Sequence, residues 1–268
     1  MVVTTCDKPG DDQRRRAEVV AARCGVPVVR RRALSGLIEA HGTVYVVGRA
    51  REALHSSGGA IHVHRGLLAQ KSAAGRAHPL IRALAPPGSH PTRVVDGTLG
   101  LAEDALHIAS ILRCRVDAIE AVPAVYSLAE SGLQRLADVL PAARDLRLHL
   151  AETESWLSEQ ATASCDAVFL APMFAKPEAA APGYASFRSV ARHAPMTSRL
   201  VEEALRVARD RVVVKLAAAQ EIPAFLADYL RERAGLGADW PGDEAAMDRA
   251  DLGLTFEGGR ALTYAILR

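Results

Sequence analysis

Arg93-Val-Val-Asp96-Gly97-Thr98-Leu99-Gly100-Leu101-Ala102-Glu103-Asp104-Ala105 runs from an apolar segment into a carboxylate, through a turn of small residues and into a helical pattern. A strand, a ligand-cradling loop and a helix N-terminus require that order. Small residues let backbone approach a ligand, and a helix start offers unpaired N–H donors. The dinucleotide fingerprint G-x-G-x-x-G is not met: Gly97 and Gly100 are three apart, and Ala102 stands where a further glycine would. Pattern alone therefore leaves two readings, a ligand loop or an ordinary tight strand-to-helix turn.

Downstream, Glu103 to Leu112 fits a helix and Arg115-Val-Asp-Ala-Ile119 a strand that ends at Glu120. A carboxylate at the end of the second strand, about 20 residues past a glycine loop, is where nucleotide-binding α/β folds place the acceptor for ribose hydroxyls. Pro123 opens a further helix, and Leu146 to Leu150 is a third strand with Glu152 and Glu154 after it. Cys165 to Leu170 is a fourth strand, running into Ala171-Pro172-Met173-Phe174. That turn suits the carboxyl edge of an open sheet, where such folds bind ligands, or equally a buried turn with Met173 and Phe174 in the core. Residues 175–195 read as a long lid-like loop holding Tyr184 and His193. A helix from Ser198, a buried-type strand Arg211-Val-Val-Val-Lys215, a helix from Ile222 and a terminal hairpin around Gly258-Gly259 follow. Strands alternating with helices predict a mainly parallel α/β sheet covered on both faces, with an antiparallel edge.

Upstream, the pattern predicts a small α/β unit: strands at Val2–Thr5, Val26–Val29 and Thr43–Val47, and helices over 13–24 and 34–40. Pro86-Pro-Gly-Ser-His-Pro91 reads as a linker, which divides the chain into 1–85 and 86–268. The triplets Arg14–Arg16 and Arg30–Arg32 are the only concentrated positive charge. They read as phosphate contacts or as a solvated face; no aromatic residues are interleaved for base stacking. His62 and His64 would share one face of a strand, but no third ligand is near and no metal is expected.

The totals fit a soluble α/β protein: 49% hydrophobic, 4% aromatic, net charge +2, a balance that favours neither presence nor absence of nucleic acid. Four scattered cysteines without C-x-x-C argue against a zinc or disulfide framework. The first residues show no apolar signal core and no stretch is long enough to span a bilayer, so the expected compartment is the cytoplasm, with no membrane partner.

Four motifs in order resemble one family, the class I S-adenosylmethionine-dependent methyltransferases related to the guanine-N2 methyltransferase of 16S ribosomal RNA. They are Asp96-Gly-Thr-Leu-Gly-Leu-Ala-Glu-Asp-Ala105, Glu120-Ala-Val-Pro123, Pro172-Met173-Phe174 and Arg206-Val-Ala-Arg-Asp-Arg-Val-Val-Val-Lys215. The resemblance implies a Rossmann-like sheet and S-adenosyl-L-methionine as cofactor. It implies that Asp96, Gly97, Gly100, Glu103 and Asp104 line the methionine end, that Glu120 accepts from the ribose, and that Glu152 with Thr153 sits by the adenine. Pro172 and Met173 would lie against the sulfonium; Thr98, Ala121 and Ala171 complete the implied binding set.

One position departs from the resemblance. The family writes Asp-Pro-Met-Phe, and this chain has Ala171 first. The family's carboxylate accepts a hydrogen bond from the target amine, which alanine does not do. The sequence alone therefore ranks a small-molecule or peptide acceptor first, RNA second, and a non-catalytic cofactor-binding module third. Tyr184 and His193 are the catalytic candidates, with Tyr126 and Lys215 as further candidate bases.

Overall fold

The computed structural model describes residues 1–64, 73–172, 187, 190, 196–217, 224–234, 254–258 and 262–268. They form two sheets. The first contains β1 (Val2–Thr5), β2 (Val44–Val47), β3 (Glu52–Ser56) and β4 (Gly59–Ile61) in that order. β1 and β2 are parallel, and the other pairs antiparallel. Helices α1 (Asp11–Cys24) and α2 (Leu34–His41) cross between β1 and β2. α1 begins with Asp11 and Asp12 in its first turn, where carboxylates favour the positive end of the helix dipole.

The second sheet contains seven strands: β5 (Arg93–Asp96), β6 (Arg115–Glu120), β7 (Leu146–Leu150), β8 (Cys165–Leu170), β9 (Ala208–Ala217), β10 (Leu254–Gly258) and β11 (Leu262–Leu267). Their order is β10-β11-β9-β8-β5-β6-β7. β5 to β9 are mutually parallel, and β11 runs antiparallel between β9 and β10. The helices are α3 (Pro79–Leu84), α4 (Glu103–Leu112), α5 (Pro123–Leu136), α6 (Thr153–Ser158), α7 (Ser198–Val207) and α8 (Ala224–Ala234).

Period-two alternation sends neighbouring residues of the central strands to opposite faces. Val94, Phe169 and Val213 join one apolar cluster with α3 and α4. Val95, Val168, Leu170, Val212 and Val214 join another with α7 and α8. Strands buried on both faces read as continuous valine-rich runs, and each such side chain contributes roughly 1.5–3 kcal/mol. The expected Rossmann-like sheet with helices on both faces is therefore what these residues build.

Several local expectations change. Val26–Val29 is no strand: Val28 makes a single bridge to Val3. The sequence reading passed over β3, whose Glu52 is buried. The first arginine triplet divides. Arg14 and Arg15 are exposed beside Asp11 and Asp12, whereas Arg16 turns inward to Glu130 of α5, against which α1 packs, and to Glu52 at the start of β3. In the second triplet Arg31 lies 3.4 Å from Asp7. Leu80, Ile81 and Leu84 of α3 pack in the core of the large sheet, and Val63 packs in a cluster with Ala124 and Leu128 of α5. Among the described residues no helix is long and apolar enough to cross a membrane, and no group of three or more His, Cys, Asp or Glu is placed to hold a metal.

Candidate functional site

The chain proceeds from β5 outward to β6 and β7 on one side and to β8 and β9 on the other. The crevice beyond the carboxyl ends of β5, β6 and β8 lies at this reversal, the usual ligand position in open α/β sheets. Asp96, Glu120 and Leu170 end these strands.

The loop after Asp96 is pinned on both sides. The Gly97 amide donates to Phe169 O at 2.9 Å, and the Leu99 amide to Ile119 O at 3.0 Å. A Cβ on Gly97 would lie 2.6 Å from Thr153 Cγ2 and 2.7 Å from Leu170 Cδ2, so any side chain there forces Thr153 or Leu170 to shift. Ala102 is buried at φ 65, an unusual conformation for a residue with a Cβ. It precedes α4 without offering a side-chain cap, so the first amides of that helix face the loop uncapped by it.

Asp96 is 1% exposed. Its Oδ1 accepts from the Thr98 amide at 2.9 Å and from the Thr98 hydroxyl at 3.3 Å. Its Oδ2 is buried without a hydrogen-bond partner. Burial pushes the carboxyl up to about 7, with the Asp104 charge adding to the rise and Thr98 and Lys215 opposing it. A buried orphan acceptor costs about 1–3 kcal/mol unless a donor arrives. The ammonium of a methionine moiety is such a donor, so the site fits S-adenosylmethionine.

Glu120 uses both oxygens. Oε2 accepts from the Gly100 amide at 3.1 Å and Oε1 from the Val122 amide at 2.8 Å. Burial raises this carboxyl, against which the amides of Val122, Gly100 and Ala121 act; Glu152 nearby adds to the rise. A carboxylate has about four acceptor positions, so Glu120 retains capacity for a ribose hydroxyl beside these amides. Glu152 is exposed at the N-cap position of α6, and the Thr153 hydroxyl donates to Gly97 O, so Thr153 supports the loop from below. Glu103 opens α4 directly after Ala102.

The structure brings Asp96, Gly97, Thr98, Gly100, Glu120, Thr153 and Ala171 to one edge. The Ala171 amide donates to Thr98 Oγ1 at 2.8 Å, and Pro172 follows it. Phe187 also reaches this place: its Cζ would be 3.6 Å from a Cβ on Gly100. Met173, Phe174, Tyr184 and His193 lie outside the described residues. Two candidate bases are already engaged. Tyr126 lies under the Arg23 guanidinium on the side of α5 that meets α1. Lys215 Nζ is 2.8 Å from Asp104 Oδ2. The sequence reading missed that pair and Tyr264, which is buried and opposite Lys215 in the β9–β11 register. The basic end of the β9 pattern was a usable signal for Lys215; its partner lies 111 residues away in the chain.

Comparison with known proteins agrees with this geometry. The family described as "Putative SAM-dependent methyltransferase" matches residues 57–228. The ribosomal RNA small subunit methyltransferase J of Laribacter hongkongensis is 37% identical over 148 residues, 53% of this chain and 52% of that protein. The chain thus spans about half the length of that relative. The protein of the same name from Thioalkalivibrio sulfidiphilus is 31% identical over 225 residues, 79% of this chain and 86% of that one. A solved SAM-dependent methyltransferase of Neisseria gonorrhoeae superposes with a TM-score of 0.65 at 20% identity, covering 100% of this chain and 95% of that one, a likeness of fold. The matched segment contains the pinned loop, the orphaned Asp96 oxygen and Glu120, and the chain belongs to this family of S-adenosylmethionine-dependent methyltransferases.

Proposed function

We propose that this enzyme methylates a nucleobase of small-subunit ribosomal RNA in the cytoplasm. What carries the reading is the similarity over 79% of the chain to a relative named for that substrate. It reverses the ranking drawn from Ala171 and the modest net charge, which put a small molecule or peptide first.

S-adenosylmethionine, when bound, supplies an electrophilic methyl group on a sulfonium. Asp96 Oδ2 receives the ammonium of the methionine end, the Gly97–Gly100 backbone admits the chain closely, and Glu120 receives the ribose hydroxyls. Transfer in line requires chiefly that donor and acceptor be held in orientation. Ala171 and Pro172 form the acceptor side, tied to the cofactor side through Thr98. With no carboxylate at 171, the acceptor atom is aimed by shape and stacking rather than by an anionic hydrogen bond.

The test is methyl transfer to undermethylated small ribosomal subunits, run beside a metabolite and peptide extract. Label in 16S rRNA is expected. Label confined to metabolites or peptides overturns the RNA reading. Ala171→Asp is expected to increase transfer to an exocyclic amine of the RNA.

A further inference from the structure

Away from the crevice, four basic residues gather around the turn that joins β2 to β3. The Gly48 amide donates to Arg51 O at 3.1 Å, and a Cβ on Gly48 would lie 2.4 Å from that oxygen, so the turn is held closed. Arg49 and Arg51 are exposed on it. Arg49 Nη2 donates to Lys8 O at 2.6 Å, which brings the exposed Lys8 to the same place. Arg51 Nη1 lies 3.2 Å from His62 Nε2. A guanidinium has no acceptor, so that nitrogen accepts and His62 is neutral there. Arg135, in the last turn of α5, donates to Ala50 O at 3.1 Å. We propose that this turn, with Lys8 and Arg135, is a phosphate-binding surface that holds the backbone of the substrate RNA away from the crevice.

Charge decides the partner. The carboxylates of the neighbouring segments already face arginines: Asp11 and Asp12 lie beside Arg14 and Arg15, Asp7 beside Arg31, and Asp138 beside Arg144. Among the described residues none of Lys8, Arg49, Arg51 and Arg135 pairs with a carboxylate; the three arginines rest on carbonyls and a neutral imidazole. Their positive charge is therefore uncompensated, and holding them in place beforehand reduces the ordering cost of binding. A planar guanidinium forks onto phosphate oxygens in pairs. No Phe, Tyr or Trp stands among these residues, so the surface meets backbone and does not stack bases. Nor does it offer the aromatic anchors on which protein–protein interfaces centre.

α5 begins at Pro123, just past Glu120, and runs 14 residues away from the crevice. At 1.5 Å per residue, Arg135 stands about 20 Å from that edge. The contact is thus to a part of the RNA other than the target nucleotide, and it adds affinity without touching S-adenosylmethionine.

The inference rests on the RNA reading above, and the test separates the two. Binding of the full chain to undermethylated small subunits, and to 16S rRNA stripped of protein, is measured across a salt series. Each phosphate contact contributes roughly 0.7–0.9 to the slope of log K against log salt concentration. Arg51→Gln/Arg135→Gln is expected to lower that slope by about 1.4–1.8 on both ligands and to raise KM for subunits by at least about tenfold near 0.1 M salt. Calorimetric affinity for S-adenosylmethionine is expected to match wild type. Arg51→Lys/Arg135→Lys, which replaces both guanidiniums but keeps the charge, is expected to keep most of the slope.

A slope and KM equal to wild type overturn the proposal. A loss on subunits without a loss on stripped RNA also overturns it, because a ribosomal protein then occupies the surface. So does a lysine variant that loses the slope to the same extent as the glutamine variant, because the arginines then serve the turn and not a phosphate. If the glutamine double variant does not fold, Arg49→Gln carries the same test with a slope lowered by about 0.7–0.9. Label absent from 16S rRNA while the slope still falls overturns instead the methylation reading and leaves this surface as an RNA contact.

Discussion

The backbone amide of Ala171 donates to the Thr98 hydroxyl at 2.8 Å, which ties the end of β8 to the loop after β5. The same hydroxyl reaches back to Asp96 Oδ1. One side chain therefore spans the two halves of the crevice, the half proposed to hold the cofactor and the half proposed to face the acceptor.

Thr98→Val removes both hydroxyl contacts while keeping the shape. The Ala171 amide is left unpaired in a partly buried turn, which costs about 1–3 kcal/mol. We expect lower stability in urea unfolding and a larger fall in transfer rate than in cofactor affinity, because the acceptor side loses its anchor. Thr98→Ser, which keeps the hydroxyl, should restore most of both. Equal losses in rate and affinity would show that the hydroxyl serves only the cofactor half.

At Gly97 the constraint is volume. The added methyl of Gly97→Ala would press on Thr153 and Leu170 at 2.6 and 2.7 Å. Overpacking of this kind costs typically about 1–3 kcal/mol, and here it also pushes the loop into the crevice. Thermal unfolding with and without S-adenosylmethionine is the measurement. The variant should melt lower and lose most of the stabilisation that the cofactor gives the wild type. A normal ligand-induced shift would mean that the loop does not border the cofactor.

The loop was legible because its cues are local: Asp96, the small residues and the helix opening lie within a few positions. Glu120 was legible from its distance along the chain. The central strands were legible because burial on both faces leaves unbroken runs such as Val212-Val213-Val214. β3 was not, because it is short, opens on Glu52 and ends in polar His55 and Ser56, and Glu52 is neutralised by Arg16, 36 residues earlier. Arg16 itself looks like Arg14 and Arg15 in sequence. What distinguishes it is Glu130, 114 residues later. Lys215 with Asp104 is the same case: long-range charge pairs leave no local pattern.

Asp96 also gives a pH dependence of stability. Its carboxyl titrates near 7 in the folded chain, against 3.8 as the ordinary value. Between those values the unfolded chain has already lost the proton that the folded chain keeps. Stability of the cofactor-free protein therefore falls as pH rises from about 4 to about 7 through this group. Asp96→Asn removes the ionisable proton and should flatten that part of the curve. The variant is expected to gain relative to wild type from pH 5 to pH 8, while losing cofactor affinity. Chemical unfolding at the two pH values checks the sign; a difference that does not change with pH would contradict burial as the cause.

The seam between α1, β3 and α5 titrates in the other direction. Arg16 Nη1 is 2.6 Å from Glu130 Oε2, Nε is 2.9 Å from Glu52 Oε1, and Nη2 donates to Ser127 O at 2.8 Å. Tyr45 also donates to Glu52, and Arg23 pairs with Glu130 at 3.0 Å. Burial pushes Glu130 up, but the Arg23 and Arg16 contacts outweigh it and hold the carboxyl below its ordinary range. A carboxyl so depressed contributes stability above its unfolded value and loses it as pH falls through the folded one. Arg16→Met strands Glu52, whose side chain is 7% exposed, and should cost about 3 kcal/mol at pH 7. The cost should shrink near pH 4, where the depression of the Glu130 carboxyl by Arg16 ceases to contribute, and Arg16→Met/Glu52→Gln should recover much of it at pH 7. Urea unfolding at both pH values distinguishes charge from packing: a loss equal at the two would place the contribution of Arg16 in its aliphatic stem, not in its guanidinium.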